Sequence, residues 1–501
     1  MVPTQQIFKN IRVYWLAFVV YWGIILFGYD TGGVVSAPFF IQQFGLLNPD
    51  GSTNKQKNAD VSSNVVSVLQ AGAFFGALGS APISAKIGRR LTLLGFSVIF
   101  LVGAILTTVA GGHNGLAEIY AGRVILGFGI GGISAVSPAF VSECSPKEVR
   151  GRITGLFQIF VAIGVMMSYW VNYGISVHIA PGPKLWRIPF GVQLIPAGIM
   201  CMGLLTVKES PRWLASMGRT EEAIANLAYL RKEPEDSETV IHEMAEIEAA
   251  LQEEREARQG LGLREAFLGK GNFIRFVIAF VIFLLQQWSG QNSVNYYAPQ
   301  IFASIGYTQR RNGLLATGVV KLVATSLFVF FGVEWLGRKA SLFISAMGMG
   351  TCFYIIGAIL KTHPPPATDA NSIVANPPPA SKAMAAMLYI YVCFYSMGWG
   401  MVYCADIFPT RTRHYDFTLS KTTPQMVLNL GYKIFLMFAT INIAGMGVFA
   451  LLIPETKGRS LEDMDVIFGA VAREKRDADI AKQEKALEHN TEEASDHEEK
   501  A

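Results

Sequence analysis

Windows of about 20 mostly apolar residues recur along this chain, and each is long enough to cross the hydrocarbon core of a bilayer. They lie near 13–32, 63–84, 92–111, 119–141, 153–174, 188–206, 274–304, 313–333, 341–360, 384–405 and 432–453. A chain built from such windows is expected to be an all-α polytopic membrane protein, because helices satisfy their own backbone polar groups within lipid. The charge content agrees. Only 16% of residues are charged and 51% are apolar, whereas a soluble domain carries about 25% charged residues. The first window is too long for a cleavable signal peptide and lacks a small-residue cleavage site, so it reads as the first span. A net charge of +4 implies no nucleic-acid partner. Cys144, Cys201, Cys352, Cys393 and Cys404 are scattered in or beside apolar segments, which favours buried thiols over a disulfide or metal framework.

Lysines and arginines fall in alternate loops. Lys86, Arg89 and Arg90 follow span two, and Lys147, Arg150 and Arg152 follow span four. The intervening loop, Gly111 to Glu118, has neither. The positive-inside rule places the basic loops, and with them the N-terminus, in the cytoplasm. A hydrophilic block from Lys208 to Lys270 separates spans six and seven, and its Ser237–Arg258 segment reads as a solvated helix. A second polar segment, Thr362 to Lys382, holds two Pro-Pro-Pro runs and reads as an extended extracellular loop. The expected layout is therefore an N-terminal six-helix bundle (1–206), a cytoplasmic helical linker (207–272), a C-terminal bundle (273–468) and a charged tail (469–501).

The two halves repeat each other. Ile87-Gly88-Arg89-Arg90 matches Leu336-Gly337-Arg338-Lys339. Glu143 with Arg150-Gly151-Arg152 matches Asp406 with Arg411-Thr412-Arg413, and Glu209-Ser210-Pro211-Arg212 matches Glu455-Thr456-Lys457-Gly458-Arg459. Parallel halves of this kind are a transporter architecture, with substrate held between them. The carboxylates and arginines of these motifs are expected to pair across the cytoplasmic face. Such pairs would hold the halves together when the pore faces outward and break when it faces inward, so they bias a two-state equilibrium.

Span seven carries Gln286, Gln287, Asn292 and Asn295 in an otherwise apolar run, and span five carries Gln158. Amides are costly in a membrane helix without partners, and they offer both donors and acceptors to a neutral polyol. Interhelical hydrogen bonding would explain the same residues. Gly290 and Pro299 can interrupt the helix, and Tyr296, one turn after Asn292, is placed to pack on an apolar ring face. Asp30 closes span one and Arg123 lies early in span four. An intramembrane carboxylate beside an arginine is a functional hypothesis by default. Lys321 in span eight reads as a snorkelling or helix-pairing residue.

Arg150-Gly151-Arg152, Glu209-Ser210-Pro211-Arg212-Trp213-Leu214, Gln286-Gln287-Trp288-Ser289-Gly290, Asn295-Tyr296-Tyr297 and Pro454-Glu455-Thr456-Lys457-Gly458 closely resemble the sugar porter branch of the major facilitator superfamily, and within it the fungal hexose, pentose and quinate carriers. The resemblance runs from about residue 12 to 468. It implies twelve helices in two six-helix bundles and a central site for one polyhydroxylated ring. It further implies sugar contact at Gln158, Gln286, Gln287 and Asn292, and a proton-coupling pair at Asp30 and Arg123. The alternative for that pair is a static ion pair in a facilitator.

The chain departs from the family pattern in three places. Ala85 stands where the loop after span two usually has an acidic residue. Gly398-Trp399-Gly400-Met401 replaces a Gly-Pro-x-x-Trp run in span ten. The third departure is visible in the repeat itself: 66 positions separate Glu143 from Glu209, but 49 separate Asp406 from Glu455. The shortfall of about 17 residues approaches one bilayer-crossing helix, so helix 11 is expected to be truncated.

The leading expectation is a monomeric plasma-membrane monosaccharide transporter working by proton symport and alternating access, with no cofactor beyond the coupling proton and no metal. Permeation of quinate or another cyclic hydroxy acid is the alternative substrate class, and a carboxylate substrate would want a cation in the pore. A sugar sensor without transport, or an inactive product of a defective gene model, are further alternatives. An enzyme is not expected, because the chain has no nucleophile constellation, metal cluster or phosphate loop.

Overall fold

The computed structural model describes residues 10–30, 40, 44, 54–111, 115–180, 182–258, 272–296, 301–302, 312–332, 336–364, 378–399 and 432–454, and within these no strand occurs. The first half comprises α1 (Ile11–Asp30), α2 (Lys55–Ile87), α3 (Arg89–Val109), α4 (Gly115–Cys144), α5 (Lys147–His178), α6 (Lys184–Val192) and α7 (Leu194–Thr206). Three helices follow, α8 (Pro211–Ser216), α9 (Thr220–Arg231) and α10 (Glu238–Arg258). The second half comprises α11 (Asn272–Gln287), α12 (Gln291–Tyr296), α13 (Asn312–Leu327), α14 (Arg338–Thr362), α15 (Pro379–Met397), α16 (Lys433–Thr440) and α17 (Val448–Leu452). Eight helical stretches among the described residues are long and apolar enough to cross a membrane.

All eleven expected windows contain helix, but the structure adjusts several. The sixth is broken at Gln193, between α6 and α7. The eighth and last windows pass through π-helical turns, Phe328–Gly332 and Ile441–Gly447. Lys382 is not in a loop: α15 begins at Pro379, where a proline at the first helical position costs no hydrogen bond. Residues 400–431, including the region of the missing helix and Asp406, Arg411 and Arg413, lie outside the described residues, as do Glu455 and Arg459.

Small residues set the packing in the first half, where no water-driven force holds helices together and backbone approach must supply contact. On α2 and α4, a Cβ at Gly72 or Gly76 would strike the carbonyl of Val124 or Phe128, and one at Gly127 or Gly131 that of Leu69 or Ala73. On α1 and α5, Gly28 meets the carbonyl of Val161 and Gly164 that of Ile25. One apolar core gathers residues of α1–α5 and α7, among them Tyr21, Phe100 and Phe140. A second gathers α11–α12 and α14–α17, including Phe353, Tyr391 and Phe438, and reaches Val165 and Tyr169 of α5. The loop helices have their own core: Trp213, Leu214, Ala223 and Leu227 pack on Val240, Met244 and Leu251 of α10. Thus the Ser237–Arg258 segment is helical as expected from Glu238 onward, but one face of it is packed rather than solvated.

Candidate functional site

The break between α11 and α12 gathers the amides. Trp288, Ser289 and Gly290 leave the helical path, and Gly290 takes φ +91°, a conformation that disfavours any side chain. A Cβ there would lie 3.0 Å from both Phe353 and Phe438. The carbonyl of Ser289, freed by the break, accepts from Tyr391 Oη at 3.0 Å and Asn442 Nδ2 at 3.2 Å. Gln286 and Gln287, at the end of α11, are 7% and 8% exposed. Gln286 donates to the Trp399 carbonyl at 2.8 Å and to Tyr395 Oη at 3.2 Å. Asn292 donates to the side-chain carbonyl of Gln287. Gln291 donates to Asn295 Oδ1 at 2.9 Å, and Tyr169 of α5 donates to the Asn295 backbone at 3.0 Å. Gln158, half-buried, lies on the same helix as Tyr169, about three turns away. Tyr296 ends α12, and its side chain lies outside the described residues.

At the end of α1 the structure brings together Asp30 and Arg123. Arg123 Nη1 lies 2.5 Å from Asp30 Oδ1, and the two side chains are 4% (Asp30) and 6% (Arg123) exposed. Gln193 Nε2, at the α6–α7 junction, donates to the same oxygen at 2.9 Å; the junction itself falls where Pro196 has no N–H to give the Val192 carbonyl. The guanidinium also sits 4.7 Å over the Phe190 ring. Asp30 Oδ2 and Arg123 Nε have no hydrogen-bond partner among the described residues. The pair is buried and compact, and a buried charge of this kind is costly to leave without its partner.

The basic end of the first half carries the third constellation. Arg89 grips Glu143 with Nε at 3.0 Å and Nη2 at 2.9 Å. Ser210 Oγ closes on Glu143 Oε2 at 2.5 Å. The α3 N-cap, Gly88 (φ +95°), has no side chain to satisfy the first amides of the helix. Glu209, remote in sequence, does so instead: it accepts from Arg89 N at 2.9 Å and Arg90 N at 3.1 Å. Its negative charge also complements the helix dipole. Burial nevertheless pushes the Glu209 carboxyl above the ordinary glutamate value. A Cβ on Gly88 would collide with the Glu209 carboxylate. Trp213 Nε1 donates to the Ala85 carbonyl at 3.0 Å, so the position without its usual acid is still tied to the network through backbone. Arg231 ties α9 to the Cys144 carbonyl at 3.0 Å and to Glu243.

The described charge pairs at the basic end lie within the first half and its loop helices, and the expected second-half partners Asp406, Arg411, Arg413, Glu455 and Arg459 lie outside the described residues. The side chains of Arg150, Arg152 and Arg338 lie outside the described residues. Lys321 does not snorkel. It is 7% exposed, mid-way along α13, on the face opposite the exposed Val319, Val323 and Leu327.

Tyr391, Tyr395, Asn442 and Gln193 were missed in the sequence. Tyrosine is unremarkable in an apolar window, and only the fold shows their hydroxyls and amides meeting the break or the ion pair. Gln70 on α2 was missed too, although an amide in a span is itself a signal. It is 7% exposed, and neither of its amide atoms has a partner among the described residues.

The profile of the family described as "Sugar (and other) transporter" matches residues 16–468. A probable quinate permease of Neosartorya fischeri is 36% identical over 493 residues, covering 93% of this chain and 89% of that protein. The quinate permease of Neurospora terricola is 36% identical over 494 residues, covering 93% and 90%. The proton:xylose symporter XylE of the major facilitator superfamily, bound to 6-bromo-6-deoxy-D-glucose, superposes with a TM-score of 0.73 at 25% identity, covering 92% of this chain and 100% of that one. An inward-open XylE structure from E. coli gives 0.67 at 22% identity, covering 91% and 99%. These relatives are transporters, not enzymes. The chain is a multi-pass membrane protein with the two-bundle major facilitator fold, and it belongs to the sugar porter family of transporters.

Proposed function

We propose that this protein is a plasma-membrane, proton-coupled permease for a small, cyclic, polyhydroxylated substrate of the sugar or quinate class. The observation that carries the reading is the buried amide set at the α11–α12 break: Gln286, Gln287, Asn292 and Asn295 crowd one interrupted helix within an apolar bundle. Interrupted helices line the sites of many transporters. Amides can exchange their mutual hydrogen bonds for those of a ring with many hydroxyls at little net cost. Gln158 from the first half and the α12 amides from the second would then clamp one ring between bundles 1–206 and 273–468, and rocking of the bundles gives alternating access. Asp30 and Arg123 supply the coupling: protonation of Asp30 frees Arg123 and permits the rearrangement. The names of the relatives, which specify quinate permeases and a proton:xylose symporter, support both parts.

The test is uptake of labelled quinate and labelled xylose by the purified chain in proteoliposomes, with and without an imposed pH gradient. Accumulation of either ring that depends on inward-directed protons is the expected result. No uptake of either with any gradient would overturn the proposal and favour an inactive product or a sensor.

A further inference from the structure

We infer that Lys321 is the counter-charge for a carboxylate on the transported ring, so that the substrate is a cyclic polyhydroxylated anion rather than a neutral sugar. This deepens the proposed function and rests on the amide set being the substrate site.

The argument begins with cost. An ammonium mid-way along a membrane helix is expensive unless it finds an anion, water or an interface. Lys321 has the first turns of α13 on one side and Thr325 on the other. Thr325 Oγ1 bonds Ser396 of α15 at 3.2 Å, which fixes that turn against the second bundle. No carboxylate or hydrogen-bond acceptor among the described residues engages the lysine. The acids that the first half buries are already committed: Asp30 to Arg123 and Gln193, Glu143 to Arg89, Glu209 to the α3 start. A lysine that served only to join helices would hold a carbonyl or hydroxyl of a neighbour.

Its position is at the seam of the two halves. α13 and its π turn run antiparallel to α5, with Gly318 against Met166 and Gly155 against Val329. Lys321 is therefore level with about residue 163 of α5. Tyr169 of α5 reaches the Asn295 backbone, and α11–α12 runs parallel to α5. At about 1.5 Å per residue, Gln287 falls near the level of residue 161. The lysine thus lies within about one helical turn of the depth of Gln287 and about one and a half turns from that of Gln158, and it lies on the non-lipid face of its helix. Amides and a single buried positive charge at similar depth match a ring of hydroxyls bearing one carboxylate. An ammonium donates to a carboxylate with about twice the strength of a neutral pair, and more so away from water. A charge consequence follows. One proton moving with a monoanion transfers no net charge, whereas one proton with a neutral ring transfers one.

The experiment measures binding of quinate and of xylose to the purified full-length wild type, Lys321→Gln and Lys321→Arg, alongside uptake. The expected result is a fall on the order of a hundredfold in the quinate-to-xylose affinity ratio for Lys321→Gln, with Lys321→Arg keeping most of it. Quinate uptake by the wild type should draw little current under a pH gradient. An unchanged ratio in Lys321→Gln would overturn the assignment. So would loss of the ratio in Lys321→Arg and Lys321→Gln alike, because charge would then not be what is read. Quinate binding that depends on Lys321 without any uptake would sink the transport reading and leave the assignment standing. A wild type that binds neither ring would sink both.

Discussion

Two of the places where the described residues bury charge between helices are built on opposite plans. In the first half, Asp30 and Arg123 lie 2.5 Å apart, and Gln193 braces the same carboxylate oxygen. In the second half, Lys321 is as deeply buried but faces no charge among the described residues. A buried pair is neutral as a unit, and a single proton changes its state. A lone cation keeps a standing positive potential and invites an anion from outside. The first arrangement suits a coupling device and the second suits a substrate contact, even though either residue alone would read as a misplaced charge in an apolar window.

The sharpest way to break this contrast is Asp30→Asn. The variant should lose uptake driven by a proton gradient entirely while retaining exchange of internal for external substrate. Substrate-induced alkalinisation equal to the wild type would show that the pair is static. Arg123→Ala should come next in size. It strands the Asp30 carboxylate in a buried site and should cost about 3–5 kcal/mol of stability, read as a lower Tm in detergent. A wild-type Tm would mean that the pair contributes nothing to the fold.

Gly88→Ala tests the other carboxylate that the first half positions. The new methyl meets Glu209 in a backbone that already disfavours side chains, so a loss of about 2–3 kcal/mol is expected. Gly337→Ala also falls at a positive φ, +78°, and should cost about 1–2 kcal/mol from backbone strain. Equal losses, compared by thermal melting, would show that the Glu209 contact adds nothing. The smallest effect has the opposite sign. Lys321→Met removes an unpaired buried charge and keeps the volume, so it should raise stability by about 1 kcal/mol. A drop in Tm would reveal a structural partner for the lysine and weaken the contrast with the Asp30–Arg123 pair.

Much of the fold was legible in advance, because bilayer-length apolar windows and alternating basic loops are local, additive signals. Every window contained helix, and the interruption at Gly290 followed from glycine within an amide-rich run. What was not legible depended on distance. Nothing in the sequence near Gln193 says that its amide will meet Asp30, 163 positions away. Nor does Gly88 announce that Glu209 will cap its helix, although the repeat pointed to both motifs. That Glu209 would be drawn to the unsatisfied amides at the α3 start, and Glu143 to the Arg89 guanidinium, depends on how helices far apart in sequence meet. Lys321 reads from the sequence as a snorkelling or helix-pairing residue, and only its burial on the packed face of α13 removes the first of these.

The sequence by itself determined the class of molecule: an all-helical membrane protein of two repeated halves, of the sugar porter family, with its polar residues concentrated in span seven. Those properties follow from composition, period and motif, each carried by neighbouring residues. The tertiary structure decided which polar groups are satisfied and which are left open. Pairing depends on the angles and depths at which separate helices cross, and those are set by glycine contacts such as Gly28 on Val161 and Gly318 on Met166, not by any one helix alone.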